Sequence, residues 1–357
     1  MARPSSWLHP DVQLLHDLVA IPSVTGDTEK AAEWLVGEAK RRGLEAMVDE
    51  AGNAVVTAGR GERVILLVGH IDTVPGDLPV RLERGFLWGR GAVDAKGPLA
   101  AFVAAAARFK DREDVRLVVV GACDEEKESE GAKHLLPRYK PEALIIGEPS
   151  GVDGVTIGYK GIVKIRYELE DDLAHSGAPY PSVPDRGIAF WRSVNAYCGA
   201  FQGKGLFESA SAKLGHFNTQ MLPSGRVRIE MDGNVRTPPG FDAQSFIGHL
   251  TAVSDRGLLS IPEAVPAYVA DKNSALCRAF IWGVRSQGYT AKYVKKTGTS
   301  DMNVLAPTWN VPCIAYGPGD SSLDHTPQER VSVEEYLASI DILEASLNRY
   351  LEDAGAV

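Results

Sequence analysis

The sequence predicts an α/β protein in which a catalytic domain, with a mixed central sheet in two or three layers, is interrupted by an inserted α+β domain. Its 357 residues exceed the length of a typical single domain. In the first part, amphipathic helical patterns alternate with short apolar runs rich in β-branched residues. From about Gly161 the strands acquire one polar face, and helix–strand alternation returns after Tyr268.

The first segment, residues 1–160, has the pattern of an α/β layer. It combines two amphipathic helices, two buried strands, an alanine-rich helix that follows a glycine-rich loop, and a third buried strand. In chain order these elements are helices 13–19 and 29–42, strand 64–68, helix 97–109, and strands 116–120 and 144–146.

The insert, residues 161–268, has strands with alternating polarity separated by helices, which indicates a βαββαβ unit of the ferredoxin-like type. Its clearest elements are strands 163–167 and 227–231 and helices 184–197 and 242–253. The last segment, residues 269–357, returns to the catalytic domain with helix 274–285, strand 313–316 and helix 333–350.

Composition narrows the functional class. The net charge of -9 offers no basic field to attract phosphates, so neither nucleic acid nor a membrane is an expected partner. The amino-terminal stretch lacks a leader pattern and no apolar run reaches membrane-spanning length, so we expect a cytoplasmic protein. The four cysteines form no C-x-x-C pair and are interpreted as buried or incidental thiols rather than a disulfide framework or a thiolate metal site.

Histidines and carboxylates follow several predicted strands, at the positions where α/β sheets place their sites. His70 and Asp72 come after strand 64–68, Glu125 and Glu126 after strand 116–120, and Glu148 after strand 144–146. Asp94 lies in the glycine-rich loop GRGAVDAKG, and His325 follows the last strand through Gly317-Pro318-Gly319. Four strand ends and one loop thus deliver two histidines and several carboxylates to one rim.

Imidazole and carboxylate ligands suit zinc and similar divalent ions, and two such ions can share a water that hydrolyses an amide. A binuclear site needs a bridging carboxylate, a histidine and a terminal carboxylate for each ion, and one free glutamate to move a proton. The two histidines and the several carboxylates at this rim are enough to meet these requirements. Two other interpretations of the glycine loop are an ordinary helix N-cap at Asp94 and a phosphate loop, although the G-x-x-x-x-G-K-[ST] pattern is absent.

The motifs GHIDTVP, GRGAVDAKG, DEE, GEPS and DHTPQE resemble, in order and spacing, those of the zinc aminoacylase and carboxypeptidase family, which includes acetylornithine deacetylase and succinyl-diaminopimelate desuccinylase. The resemblance covers essentially the whole chain. It implies two metal ions, zinc with cobalt as an alternative. Their implied ligands are His70, Asp94 as the bridge, Glu126, Glu148 and His325. Asp72 would orient His70, and Glu125 would be the general base, with the reverse assignment of Glu125 and Glu126 left open.

The insert is similar to the family's lid, which also forms the homodimer interface. In that family a lid histidine from the partner subunit stabilises the oxyanion, and His175 matches it, while Arg236 matches the arginine that binds a substrate carboxylate. Gly298, Thr299 and Ser300 resemble a substrate-lining loop. Where relatives have Asn-Val-Ile-Pro, this chain has Gln220-Met221-Leu222-Pro223, so Asn218 is only a candidate for the missing asparagine.

Within the family, the chain is most similar to the hydrolases that release lysine or ornithine from the amino-group carrier protein LysW in lysine and arginine biosynthesis. The features that carry this likeness are the compact length, GAVDAKGPLAAF and DHTPQERVSVEEYL. Lys292, Lys295 and Lys296 are candidates for a basic patch that docks an acidic carrier. Deacetylation of acetylornithine or desuccinylation of diaminopimelate is the enzymatic alternative, and a non-catalytic carrier-binding scaffold is the alternative from another class.

Overall fold

The computed structural model describes residues 9–355, so the outer ends of the predicted first and last segments, residues 1–8 and 356–357, lie outside the described part. The chain forms two compact units. Unit 1 contains the chain up to Gly158, Ala270–Val294 and the chain from Ser300 onward. Unit 2 contains Tyr159–Val269 and Lys295–Thr299.

The described residues form helices and strands that alternate in both units. The helices are α1 (Pro10–Val19), α2 (Glu29–Arg41), α3 (Lys96–Ala107), α4 (Glu130–Leu135), α5 (Val183–Gly199), α6 (Ala243–Val253), α7 (Ala275–Ser286), α8 (Asp301–Trp309) and α9 (Val333–Gly355). The strands are β1 (Glu45–Val48), β2 (Ala54–Ala58), β3 (Arg63–His70), β4 (Arg81–Glu83), β5 (Phe86–Trp88), β6 (Val115–Ala122), β7 (Ala143–Gly147), β8 (Gly154–Tyr159), β9 (Gly161–Asp172), β10 (Ser211–Met221), β11 (Arg226–Thr237), β12 (Leu258–Val265), β13 (Tyr268–Val269), β14 (Lys292–Lys296), β15 (Cys313–Ala315) and β16 (Arg330–Ser332).

Unit 1 is built on a mixed sheet, as predicted. Its strand order is β1-β2-β6-β3-β7-β15-β8. Strands β6, β3, β7 and β15 run parallel, whereas β1, β2 and β8 pair antiparallel with their neighbours. The parallel strands are apolar runs because both sheet faces are covered, and α3 is buried along nearly its whole length.

Unit 2 is an antiparallel sheet with the order β10-β11-β9-β12 and helices α5 and α6, which is the βαββαβ arrangement that the alternating pattern predicts. The helices pack on the apolar face of the sheet. There Tyr167 stacks on Phe190 with ring centroids 4.0 Å apart, and Ile229 and Phe246 are fully buried. A capping box of Ser182 and Asp185 begins α5.

The predicted domain boundaries need one correction. Residues 295–299, which the sequence assigns to the last catalytic segment, pack with unit 2 instead. The backbone causes this, because Lys160 donates its N–H to the Lys296 carbonyl at 3.2 Å and Thr299 donates its hydroxyl to the Lys160 carbonyl at 2.9 Å.

Several short elements were not predicted. Strands β4, β5 and β16 form a separate three-stranded sheet, and α8 forms although Pro307 lies inside it, because Ser300 and Asn303 cap its start. All four cysteines carry free thiols, three of them buried. No helix within residues 9–355 combines the length and the apolar character that crossing a membrane requires.

Candidate metal centre and active site

The predicted ligands meet at the carboxyl edge of the unit 1 sheet. His70 is the last residue of β3, Glu125 and Glu126 follow β6, and Glu148 follows β7. The parallel register aligns His70 with Ala122 and Gly69 with Gly147, so these strands end side by side. Asp94 precedes α3, and His325 follows the short 3-10 helix Ser321–Leu323.

Two donor sets share one carboxylate. The first contains His70, Asp94 and Glu148, and the second contains Asp94, Glu126 and His325, with the donor atoms of each set within 4.8 Å of one another. His70 Nε2 lies 3.1 Å from Asp94 Oδ1, and His325 Nε2 lies 2.9 Å from Asp94 Oδ2. His325 Nε2 is also 3.0 Å from Glu126 Oε1. Asp94 therefore occupies the position expected of a bridge.

Small residues let these segments approach closely. A Cβ on Gly147 would lie 3.0 Å from the Gly69 Cα and 2.9 Å from Phe102. A Cβ on Gly317 would lie 2.6 Å from Pro98 and 2.9 Å from the Glu148 carbonyl oxygen. The glycines at the ends of these strands are thus needed for the ligands to converge.

Asp72 contacts His70, as expected, and also the turn that carries the two glutamates. His70 Nδ1 lies 2.9 Å from the backbone oxygen of Asp72, while the Asp72 carboxylate is 3.6 Å away. That carboxylate accepts the backbone N–H groups of Glu125 and Glu126, each at 3.2 Å, and the hydroxyl of Thr25 at 2.8 Å. Asp72 thus contacts His70 through its backbone oxygen and its carboxylate, and its side chain also fixes the turn that carries the two glutamates.

Negative charge is concentrated among the buried ligands. Burial raises the pKa of Glu125 well above its ordinary value, and the carboxylates of Glu148 and Asp301 add to this effect while His70 opposes it. Burial likewise raises the pKa of Glu148, with a further contribution from Asp94. Such a group of buried carboxylates is stabilised by cations.

The neighbouring carboxylates raise the pKa of both histidines. Burial alone would lower the pKa of His70, but hydrogen bonds to Asp72 and Asp94 and the nearby charge of Glu125 raise it well above its ordinary value. Hydrogen bonds to Asp94 and Glu126 raise the pKa of His325 to about 10. A metal ion at either imidazole would compete with this proton, so metal binding is expected to release protons.

These residues fit two divalent cations. Each donor set offers an imidazole nitrogen and carboxylate oxygens, the ligand chemistry that zinc and related ions prefer. Glu125 belongs to neither set, and its Oε2 lies 4.0 Å from His70 Nε2. It is placed beside the ligands and remains available to move a proton.

Unit 2 brings together part of the predicted substrate set. Arg236 lies near the end of β11 and donates to the Thr299 hydroxyl at 2.6 Å. With Gly298 it lines a cavity of about 530 Å³ whose other cationic residues are Lys160 and Lys213. Three cationic side chains around one cavity of unit 2 are suited to an anionic group such as a carboxylate.

The remaining predicted substrate residues named below are not among the residues that line this cavity. His175 is exposed in the loop after β9, where its Nδ1 accepts the N–H of Gly177 at 3.1 Å. Asn218 and Gln220 are exposed on β10. Ser300 is not a lining residue of that cavity, because it is buried in unit 1 as the cap of α8.

Ion pairs neutralise two charged features of the chain, an acidic turn and the predicted lysine cluster. The acidic turn at residues 170–172 is matched by arginines: Glu170 pairs with Arg226 and Arg228, and Asp171 pairs with Arg186. In the lysine cluster, Lys292 pairs with Asp153 at 3.0 Å, and Lys295 pairs with Glu208 at 3.6 Å. The expected basic docking patch at Lys292, Lys295 and Lys296 therefore gains no support from the structure.

The sequence prediction missed three residues around the metal centre. Thr25 binds Asp72, Glu329 binds the backbone of the Asp94 loop, and Asp301 is buried with a pKa raised by burial to about 6. Glu329 is the last residue of the recognised DHTPQE motif, and Asp301 directly follows the predicted loop at Gly298, Thr299 and Ser300, so the motifs themselves pointed to both residues. Thr25 lies outside every motif and carried no such signal.

Comparison with known proteins identifies the family. The sequence profile of peptidase family M20/M25/M40 matches residues 66–349, which span every predicted metal ligand. The chain belongs to this family. Its members are hydrolases, and the M20/M25/M40 fold agrees with the mixed sheet described above. A Sulfolobus solfataricus M20 metallo-carboxypeptidase has the same fold, with a TM-score of 0.76 and 17% identity over 97% of this chain and 100% of that chain.

Sequence relatives of this chain carry more specific names. A Thermococcus kodakarensis protein with the provisional name LysW-lysine/LysW-ornithine hydrolase is 43% identical over 93% of this chain and 90% of its own. The LysW-lysine hydrolase of Deinococcus radiodurans is 39% identical over 95% of this chain and 98% of its own. The similarity extends over both units.

Proposed function

We propose that this enzyme is a binuclear metal-dependent amidohydrolase that releases lysine, ornithine or both from the carrier protein LysW. The pair of donor sets joined by Asp94, with Glu125 beside them, supports metal-dependent hydrolysis as the reaction class. The observation that carries the substrate is the near full-length similarity to proteins with that name.

In the proposed reaction, water adds to the carbonyl carbon of the amide, the C–N bond breaks, and the amine leaves with a proton. Two bound divalent ions, zinc or cobalt, would supply Lewis-acid activation of the water and the carbonyl. Glu125 takes the proton that the water loses and gives it to the leaving amine. Glu125 lies beside the donor sets and belongs to neither, which suits a carboxylate that moves a proton between water and amine.

The cationic cavity of unit 2 supports an amino-acid product. The carrier-linked substrate keeps the free α-carboxylate of its lysine or ornithine, and Arg236 offers a planar donor group for it. Thr299 accepts one of the Arg236 N–H groups at 2.6 Å and so holds the guanidinium in place. We propose His175 and Asn218 as further substrate or oxyanion contacts.

We further propose a cytoplasmic homodimer that associates through unit 2. Strand β10 lies at an edge of its sheet and is exposed along most of its length, including the apolar residues Leu214 and Met221. Long exposed edge strands are prone to pair with another chain. Four free thiols suit a reducing compartment.

The test is amine release from four substrates by metal-loaded protein: carrier-linked lysine, carrier-linked ornithine, acetylornithine and succinyl-diaminopimelate. Chelated protein and Glu125→Gln should be inactive. Glu128→Gln is the matched control, because Glu128 is exposed three residues further along the same turn.

Metal-dependent release that is fastest from a carrier conjugate would support the proposal. Faster turnover of acetylornithine or succinyl-diaminopimelate would overturn the carrier assignment while preserving the reaction class. No release from any of the four substrates by protein with both ions bound would favour a non-catalytic carrier-binding role.

A further inference from the structure

We propose that Glu329 and Arg90 form a brace that positions the bridging ligand Asp94, so that Glu329 is a positioning residue for both metal ions. This inference rests on the binuclear centre of the proposed function but not on the identity of the substrate. It gives a role to the last residue of the DHTPQE motif, which the ligand assignment leaves without one.

The Glu329 carboxylate is fully buried and has three partners. Its Oε1 accepts the backbone N–H of Val93 at 3.0 Å and that of Asp94 at 3.2 Å. Its Oε2 accepts Nη1 of Arg90 at 2.7 Å. The carboxylate therefore holds the main chain of the bridging ligand directly, while the guanidinium holds the carboxylate.

The brace also joins the two segments that carry ligands of the second donor set. Glu329 lies four residues after His325, and Arg90 lies four residues before Asp94. Arg90 donates to the Gly76 carbonyl at 3.1 Å, and the Glu329 carbonyl accepts the N–H of Gly89 at 3.3 Å. At the base of both segments, β5 pairs with β16, with Trp88 opposite Arg330.

The position of Asp94 affects both proposed metal sites, because its two carboxylate oxygens face different histidines. A shift of its backbone would move one ligand of each donor set. Hydrogen-bond partners of metal ligands typically change metal affinity or activity by about 10- to 100-fold when they are removed. A buried ion pair is a weak source of stability in itself, so placement of Asp94 is the better account of this one.

The test compares Glu329→Gln with wild type by titrating metal-free protein with Co²⁺ and recording visible absorption. An amide cannot keep all three contacts, since its NH₂ group would face either Arg90 or the two backbone donors. Both cobalt-binding steps should weaken about 10-fold or more, with an altered cobalt spectrum. Glu142→Gln is the matched control, because Glu142 pairs with Arg63 near the amino end of β3 and should leave cobalt binding unchanged.

Cobalt affinities within about twofold of wild type for a folded Glu329→Gln protein would overturn the proposal, because the loss expected on removing a positioning partner would then be absent. If that variant does not fold, Arg90→Gln replaces it and should also weaken both cobalt-binding steps. Unchanged cobalt affinities in Arg90→Gln would overturn the proposal that Glu329 and Arg90 position Asp94. A wild-type protein that binds one cobalt ion would refute the binuclear function, and the same affinity criterion would then be applied to that ion.

Discussion

Replacing Asp72 with asparagine should destabilise the turn that carries the two functional glutamates. The Asp72 carboxylate accepts three hydrogen bonds, from the N–H groups of Glu125 and Glu126 and from the Thr25 hydroxyl. Asparagine has the same shape but only one oxygen, so its NH₂ group must face one of the two backbone donors. One buried N–H then loses its acceptor.

The expected loss follows from those contacts. An unpaired buried donor costs about 1–3 kcal/mol, and the remaining bonds to a neutral acceptor are weaker by about 1 kcal/mol in total. Asp72→Asn should therefore lower the free energy of unfolding of the metal-free protein by about 2–4 kcal/mol. Thr25→Val, which removes one contact and keeps the carboxylate, should cost about 1–2 kcal/mol.

Equilibrium urea denaturation followed by far-ultraviolet circular dichroism measures both losses, and kcat should fall with them because Glu125 is no longer held. A loss below about 1 kcal/mol for Asp72→Asn, together with wild-type kcat, would refute the role assigned to its carboxylate.

Three further predictions concern the ligands, the fold and its pH dependence. Glu125→Gln should retain two metal ions but lower kcat by about 10²- to 10⁴-fold, whereas Glu126→Gln should lose one ion by elemental analysis; the opposite pattern would reverse their roles. Arg63 lowers the pKa of Glu142, so this pair stabilises the protein above about pH 4.5 and loses its effect as the pH falls through the lowered pKa. Glu142→Gln, measured by urea denaturation, should cost up to about 1 kcal/mol at neutral pH, since the pair is partly exposed, and progressively less as the pH falls through the lowered pKa of Glu142. Phe246→Ala, at a fully buried site in unit 2, should destabilise that unit by about 3–5 kcal/mol in thermal unfolding, and an unchanged melting temperature would contradict its core role.

The architecture was predictable because the spacing of apolar residues along the chain differs between buried strands and strands with one polar face. The continuous apolar runs of β3 and β6 are parallel strands buried on both faces, while the alternating pattern of β9 and β11 marks a sheet with one polar face. Short strands such as β4 and β16 offer three residues each and too little periodicity to be recognised.

The grouping of candidate ligands was predictable for a related reason. Parallel strands end at one edge, so polar residues placed directly after them must lie close together, as His70 and Glu148 do. The contacts of Glu329 and Thr25 were not predictable, because each depends on a partner far away in the chain: Asp94 is 235 residues from Glu329, and Asp72 is 47 from Thr25. The capping of α8 by Ser300 was likewise not predicted, because it depends on where the helix begins rather than on the motif.

The most direct test of the binuclear centre is an anomalous difference map from crystals grown with zinc, recorded on both sides of the zinc absorption edge. Two peaks about 3.5–4 Å apart, one on each side of the Asp94 carboxylate, are the predicted result. His70 and Glu148 should bind one ion, and Glu126 and His325 the other, with Glu125 bound to neither. A single peak, or two peaks that do not share Asp94, would contradict the account.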